Sequence, residues 1–155
     1  MSGGAAGGRR PFTAAELADG AALHQSPRHV LFQEIDAAGI VFFARFFDYF
    51  HDAFIEWMRA VGVDHAAALR ARTWGAPLVH VEADYQAPPS FGDGITVEVC
   101  AARLGRSSLQ VGYRVVGPRG IHAVGQTVHV FVSLDVMRSL LVPEAVRTAL
   151  LAAAR

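Results

Sequence analysis

One carboxylate in this chain stands where chemistry is possible. Asp36 lies in the loop Gln33-Glu34-Ile35-Asp36-Ala37-Ala38-Gly39-Ile40-Val41-Phe42-Phe43, directly ahead of a helix read from Ala44 to Val61. A helix N-terminus presents unpaired N–H groups and the positive end of a dipole, which suit a developing oxyanion. A carboxylate held beside it can act as base or nucleophile. Rival reactive groups are few. No Gly-x-Ser-x-Gly elbow is present. The single cysteine, Cys100, ends the strand-like run Thr96-Val97-Glu98-Val99-Cys100 and reads as a small packed residue. The histidines at 24, 29, 51, 65, 80, 122 and 129 show neither HExxH nor other metal-ligand spacing, so no metal site is read. Glu34 is a second carboxylate two residues upstream of Asp36. The bland alternative is that Asp36 only caps the loop or the helix, as Asp often does.

The elements that must position this loop follow from periodicity. Phe46, Phe50, Ala53, Phe54, Trp57 and Val61 recur at i, i+3/i+4, widened by Phe47 and Met58. Arg45, Asp48, Asp52, Glu56 and Arg59 lie opposite. This aromatic stripe is read as core, with Gly62 as the residue after the helix. A shorter helix is read from Asp64 to Ala71, with Asp64 near its N-cap. Upstream, a strand spans Ala22 to Phe32, broken or bent at Pro27. Beyond Pro77 the period becomes two, giving strands over Leu78–Tyr85, Ile95–Ala101 and Leu109–Val115, then a long valine-rich strand from Ile121 to Leu134. Pro88-Pro89, Gly92-Asp93-Gly94, Gly105 and Gly117-Pro118-Arg119-Gly120 punctuate them. A last helix runs from Pro143, at N1, to Ala153. Meandering strands with one segregated long helix predict an α+β fold, a curved antiparallel sheet wrapped around that helix, with the other sheet face partly uncovered. Residues 1–20 read as a disordered Gly/Ala-rich tail with at most a helical turn near Ala14–Ala18, and 21–155 as one domain.

Composition narrows the partners. The chain has 155 residues and is 52% apolar, enough to bury a core without staples. Fourteen basic residues balance fourteen acidic ones, which argues against a nucleic-acid backbone as partner but leaves room for a small anionic ligand. A lone cysteine excludes an internal disulfide. No run reaches the length of a membrane span, and no secretory signal is read, which points to the cytoplasm.

The string Asp36-Ala37-Ala38-Gly39-Ile40-Val41-Phe42-Phe43, in this order of elements, resembles hotdog-fold acyl-CoA thioesterases of the 4-hydroxybenzoyl-CoA thioesterase family, over His29 to Val142. Ala37 stands where many members have proline. Pro77-Leu78-Val79-His80 and His51-Asp52-Ala53-Phe54 are similar to segments of the hydrolases acting on 1,4-dihydroxy-2-naphthoyl-CoA. The resemblance implies a thioesterase that cleaves an aromatic acyl-CoA to acid and CoA, with no cofactor apart from the CoA carried by the substrate. It implies Asp36 as nucleophile or general base, the Phe43 N–H as oxyanion donor and Gly39 as the turn residue. His51 and His80 would meet the acyl group, and Arg103, Arg106, Ser107 and Ser108 would meet the nucleotide. For the last six, ordinary helix, strand and hairpin positions are the competing readings. The resemblance further implies a homo-oligomer, dimer or tetramer, with sites between subunits. A short-chain aliphatic thioesterase and a non-catalytic acyl-CoA or acyl-carrier binding module are the alternatives.

Overall fold

The computed structural model describes residues 10–154 as α1 (Ala14–Asp19), β1 (His24–His29), a 3-10 turn (Phe32–Glu34), α2 (Arg45–Ala60), α3 (His65–Arg70), β2 (Leu78–Tyr85), β3 (Gly94–Leu104), β4 (Ser108–Gly117), β5 (Gly120–Val130) and α4 (Glu144–Ala153). The part of the expected disordered tail before residue 10 lies outside the described residues. The stripe read from the sequence is one face of α2. Phe46, Tyr49, Phe50, Ala53, Phe54, Trp57 and Met58 are all buried there. Each fully buried aromatic of this kind stabilises the fold by roughly 1.5–3 kcal/mol. α2 ends in a Schellman motif: Val63 N–H donates to the Met58 carbonyl and Gly62 N–H to that of Arg59.

The strands form one antiparallel sheet in the order β1-β3-β4-β5-β2. Register irregularities between Val99 and Ala101, Val115 and Val116, and Leu78 and His80 mark the places where the sheet bends. Its concave face encloses α2. Phe50 stacks on Tyr113 with ring centroids 4.7 Å apart, and Phe54 stacks on His129 at 4.1 Å. Gly125 makes the first contact possible, because a Cβ there would lie 2.4 Å from the Phe50 ring. A curved sheet around one long helix is the hotdog arrangement that the motif implies. Among the described residues no helix is long and apolar enough to cross a membrane.

Four expectations are corrected. β1 is shorter than read and is not broken at Pro27. That residue pairs with Thr96 on the edge strand, where its missing N–H costs no ladder bond. β5 ends at Val130, four residues earlier than read, and beyond it only single contacts remain: the Phe131 N–H donates to the Ser107 carbonyl and Val132 makes isolated bridges to Gly75 and Ser139. Pro143 is the N-cap of α4 and not its first residue. Residues 10–20 are ordered: Thr13 and Glu16 form a capping box, and Phe12 and Leu17 are buried on the outer sheet face with Cys100 and Val124. The outer face is therefore partly covered by the chain's own N-terminal segment. Cys100 is packed as expected, and burial pushes its thiol up to about 11.

His129 is the pH-sensitive part of the core. Its Nδ1 bonds the Ala76 carbonyl at 3.0 Å and its Nε2 bonds Thr127 Oγ1 at 3.1 Å, while the Tyr113 hydroxyl lies 2.9 Å from the same Thr127 oxygen. Burial is the main cause that lowers this imidazole from 6.5 to about 4. Between those values the unfolded chain binds a proton that the folded chain refuses, so stability falls as pH drops from 6.5 towards 4 and flattens below. The loss should be roughly 3 kcal/mol. Urea titrations from pH 7 to 4 should show it in the wild type, and a His129→Gln protein should lose distinctly less over the same interval.

Candidate active site

The loop before α2 is a small hairpin. Ile35 and Val41 pair across it, the Asp36 N–H donates to the Ile40 carbonyl at 2.9 Å, and the Gly39 N–H donates to the Asp36 carbonyl at 3.0 Å. Gly39 has φ +78°, a left-handed conformation that side chains resist. The Ala38 N–H donates to Asp36 Oδ1 at 2.8 Å, so one carboxylate oxygen braces the turn. The capping role weighed from the sequence is thus half true: Oδ1 serves the loop, while Oδ2 has no hydrogen-bond partner among the described residues. The carboxylate is exposed.

The far side of this hairpin feeds α2. The Phe42 N–H is bound to the Glu34 carbonyl at 2.9 Å. The next N–H, that of Phe43, has no acceptor among the described residues, and Ala44 offers no side-chain cap to the helix. An uncapped helix start with a free amide is a ready donor for a negative oxygen. The Phe43 carbonyl is fixed instead, accepting the Tyr85 hydroxyl at 2.9 Å. The Phe43 ring is 58% exposed and packs against Phe42 at 4.7 Å. Beside this loop lies a cavity of about 290 Å³ lined by Ile40, Val41, Phe43, Phe46, Tyr85 and His122, among others. Its walls are mostly aromatic or aliphatic.

Asp36, Gly39 and Phe43 are therefore brought together. The other residues implied by the resemblance are not. His51 is exposed on α2 and lines a different, apolar cavity of about 430 Å³ with His65, Leu69, Pro77 and Met137. His80 is exposed on β2, with Nε2 3.1 Å from Glu82 Oε2. Arg106, Ser107 and Ser108 sit at the β3–β4 turn, at the end of β3 away from the Asp36 loop. With 11 residues in β3 and a rise of about 3.3 Å each, that separates them by on the order of 30 Å. Arg103 is committed elsewhere. Its guanidinium donates to the Arg10 carbonyl at 2.6 Å and to Gln110, lies 3.4 Å from Glu16, and covers the Phe12 ring at 4.3 Å. It holds the N-terminal segment on the outer sheet face and is not a free cation for a phosphate. Tyr85 joins the Asp36 loop through its hydroxyl and lines the cavity, a placement that alternation alone does not reveal, since it marks Tyr85 only as one more apolar-face position of its strand. Among the described residues no cluster of three or more His, Cys, Asp or Glu could hold a metal ion.

Residues 30–150 match the family model described as the thioesterase-like superfamily. A 1,4-dihydroxy-2-naphthoyl-CoA hydrolase of Synechococcus elongatus is 32% identical over 122 residues, 78% of this chain and 90% of that one. Among solved structures, a 1,4-dihydroxy-2-naphthoyl-CoA thioesterase from Synechocystis superposes with a TM-score of 0.76 at 24% identity, covering 82% of this chain and 94% of that one, a likeness of fold. A putative thioesterase from Pseudomonas aeruginosa gives 0.73 at 28% identity, covering 84% and 99%.

The placement of Arg103 has a direct consequence. Arg103→Ala should cost about 1–2 kcal/mol of stability through the lost hydrogen bonds and cation–π contact. Thermal melts should register that loss, while KM for a CoA ester stays within about twofold of wild type. A KM increase with unchanged stability would return Arg103 to the nucleotide.

Proposed function

The chain belongs to the thioesterase-like superfamily, and from that premise we propose that it hydrolyses an aromatic acyl-CoA to the free acid and CoA. The observation that carries this reading is the pairing of the Asp36 carboxylate and the unbound Phe43 N–H on one rigid hairpin. A thioester needs two things: a donor for the oxygen that gains charge, and a nucleophile for the carbonyl carbon. The Phe43 amide, at the dipole-positive end of α2, supplies the first without reorganisation. Asp36 supplies the second. Either its free oxygen attacks, giving an acyl-enzyme anhydride that water then opens, or it takes a proton from water that attacks directly. In both routes the C–S bond breaks and the CoA thiolate departs, so the chemistry calls on no cofactor beyond the substrate's own CoA. The cavity walls of Phe43, Phe46 and Tyr85 suit a flat acyl group, and the curated relative is named for a bicyclic aromatic substrate.

The separation of Asp36 from His51, His80 and the β3–β4 turn supports a site completed by a second subunit. β2 is an edge strand that exposes Leu78, Val79 and Tyr85. If two β2 strands pair antiparallel about a two-fold axis, the Leu78–His80 end of one meets the Tyr85 end of the other. The partner would then bring its own His51 and His80 region towards Asp36. The assembly we propose is a dimer at least.

A panel of benzoyl-type, naphthoyl-type, butyryl and hexanoyl CoA esters tests the reading. Aromatic esters should give the larger kcat/KM, and Asp36→Asn should lower it by roughly 10³-fold or more while the protein stays folded and associated. Preference for the short aliphatic esters would move the substrate class. Tight ester binding without turnover would make the protein a binding module. Activity should also fall on dilution in step with dissociation seen by light scattering.

A further inference from the structure

Glu34, the second carboxylate of this segment, is nearly sealed: the residue is 7% exposed. Every part of it that can bond is in use. Oε2 accepts the Leu31 N–H and the Tyr49 hydroxyl, both at 2.9 Å. Oε1 accepts Arg28 at 3.1 Å. The Glu34 N–H donates to the Leu31 carbonyl at 3.0 Å, and its carbonyl accepts the Phe42 N–H at 2.9 Å. The groups that hold it come from separate elements. Arg28 is on β1, crosses the Tyr49 ring at 4.3 Å and also bonds Asp52 at 3.0 Å; Tyr49 and Asp52 are on α2.

This network meets the Asp36 hairpin at its base. The side chain of Glu34 ties the incoming arm to β1 and to the buried face of α2. Its carbonyl ties the same arm to the outgoing one at Phe42. Asp36 lies two residues beyond the first tie and the Phe43 N–H one residue beyond the second. Arg45, the first residue of α2, also reaches both arms, its N–H donating to the Phe42 carbonyl at 2.9 Å and its guanidinium to the Gln33 carbonyl at 3.4 Å, but that side chain is exposed whereas the Glu34 carboxylate is buried.

We propose that Glu34 is the positioning residue of the active loop, setting the Asp36 carboxylate and the Phe43 N–H at a fixed separation from each other. The proposal rests on the reading of those two groups as the reacting pair. Glu34 does not touch substrate. It acts through the two neighbours it holds, and Tyr49 and Arg28 act through it. Burial and the Glu34 bond both push the Tyr49 phenol upward, so it remains a donor at working pH. Displacements near 1 Å at a reacting centre can cost on the order of 100-fold in rate, which makes a clamp at this point consequential.

The test uses Glu34→Gln, which keeps shape but loses the ion pair with Arg28, and Tyr49→Phe, which removes one hydroxyl and keeps the ring. Asp36→Asn is the contrast. Each is measured for kcat and KM on the best aromatic ester, and by backbone amide exchange over residues 35–46 and over β4 and β5. In Glu34→Gln, kcat should fall roughly 10- to 100-fold with KM within about threefold. Amides of 35–46 should exchange faster while those of β4 and β5 stay protected. Tyr49→Phe should show the same pattern more weakly. Asp36→Asn should lose kcat without faster loop exchange. Wild-type kcat in Glu34→Gln overturns the proposal, and so does faster exchange spread evenly over loop and sheet, the signature of a merely destabilised fold. If the wild-type protein hydrolyses none of the esters, the proposed function falls. Loop exchange then still decides on Glu34: local acceleration upholds the clamp, and unchanged protection overturns it.

Discussion

The structure depends on the enclosure of one aromatic helix face by one bent sheet. α2 carries too much apolar surface for a single sheet wall, so the sheet must curve until β3, β4 and β5 all reach it. One close approach is Phe50 over Gly125, where any side chain on the strand would collide with the ring. That contact sets the depth of the helix in the sheet, and the helix depth in turn sets where its N-terminus emerges. Packing along the next turns of α2 thus places the start of the helix, and the Glu34–Phe42 bond of the preceding loop holds the Phe43 amide relative to Asp36.

The loop adds the second coordinate. Gly39 in its left-handed conformation closes the hairpin, Ala38 braces Asp36, and the Glu34–Phe42 bond closes the base. A free amide at a helix start is common, because the first N–H groups of any helix lack partners. What suits this one to the proposed chemistry is that a carboxylate shares its hydrogen-bonded support. Exposed His80 with Glu82, 3.1 Å apart on β2, has no such support within one subunit.

Period and motif made much of this legible. The 3.6 spacing of the aromatic stripe gave α2 to within a residue at each end, because seven buried side chains enforce the same answer as the pattern. Period two gave the strands β2 to β5, and the Asp36–Phe43 string marked the loop on which the proposed chemistry rests. The failures have a common cause. Arg103 finds its partner 93 residues upstream, Tyr49 meets Glu34 across 15 residues, and Phe12 is buried through contacts with β3 and β5. Such pairings depend on which strands become neighbours, which no local window contains. The α1 segment did carry a local signal, Thr13-x-x-Glu16, but its Gly- and Ala-rich surroundings masked a capping box. The opposite ends of β3 explain why one motif could not assemble the whole set of implied contacts within a single subunit.

The docked N-terminal segment also orders events in time. Phe12 and Leu17 leave the ribosome early, but the groups that hold them arrive late: Cys100, Arg103, Gln110, Val124 and Gln126. At roughly 5–20 residues per second, the nascent segment waits on the order of 5–20 s for its binding surface to be made. The loop so closed spans most of the chain, so the contact is among the most non-local in the fold. The α1 segment therefore has no surface to dock on until β3, β4 and β5 have been made.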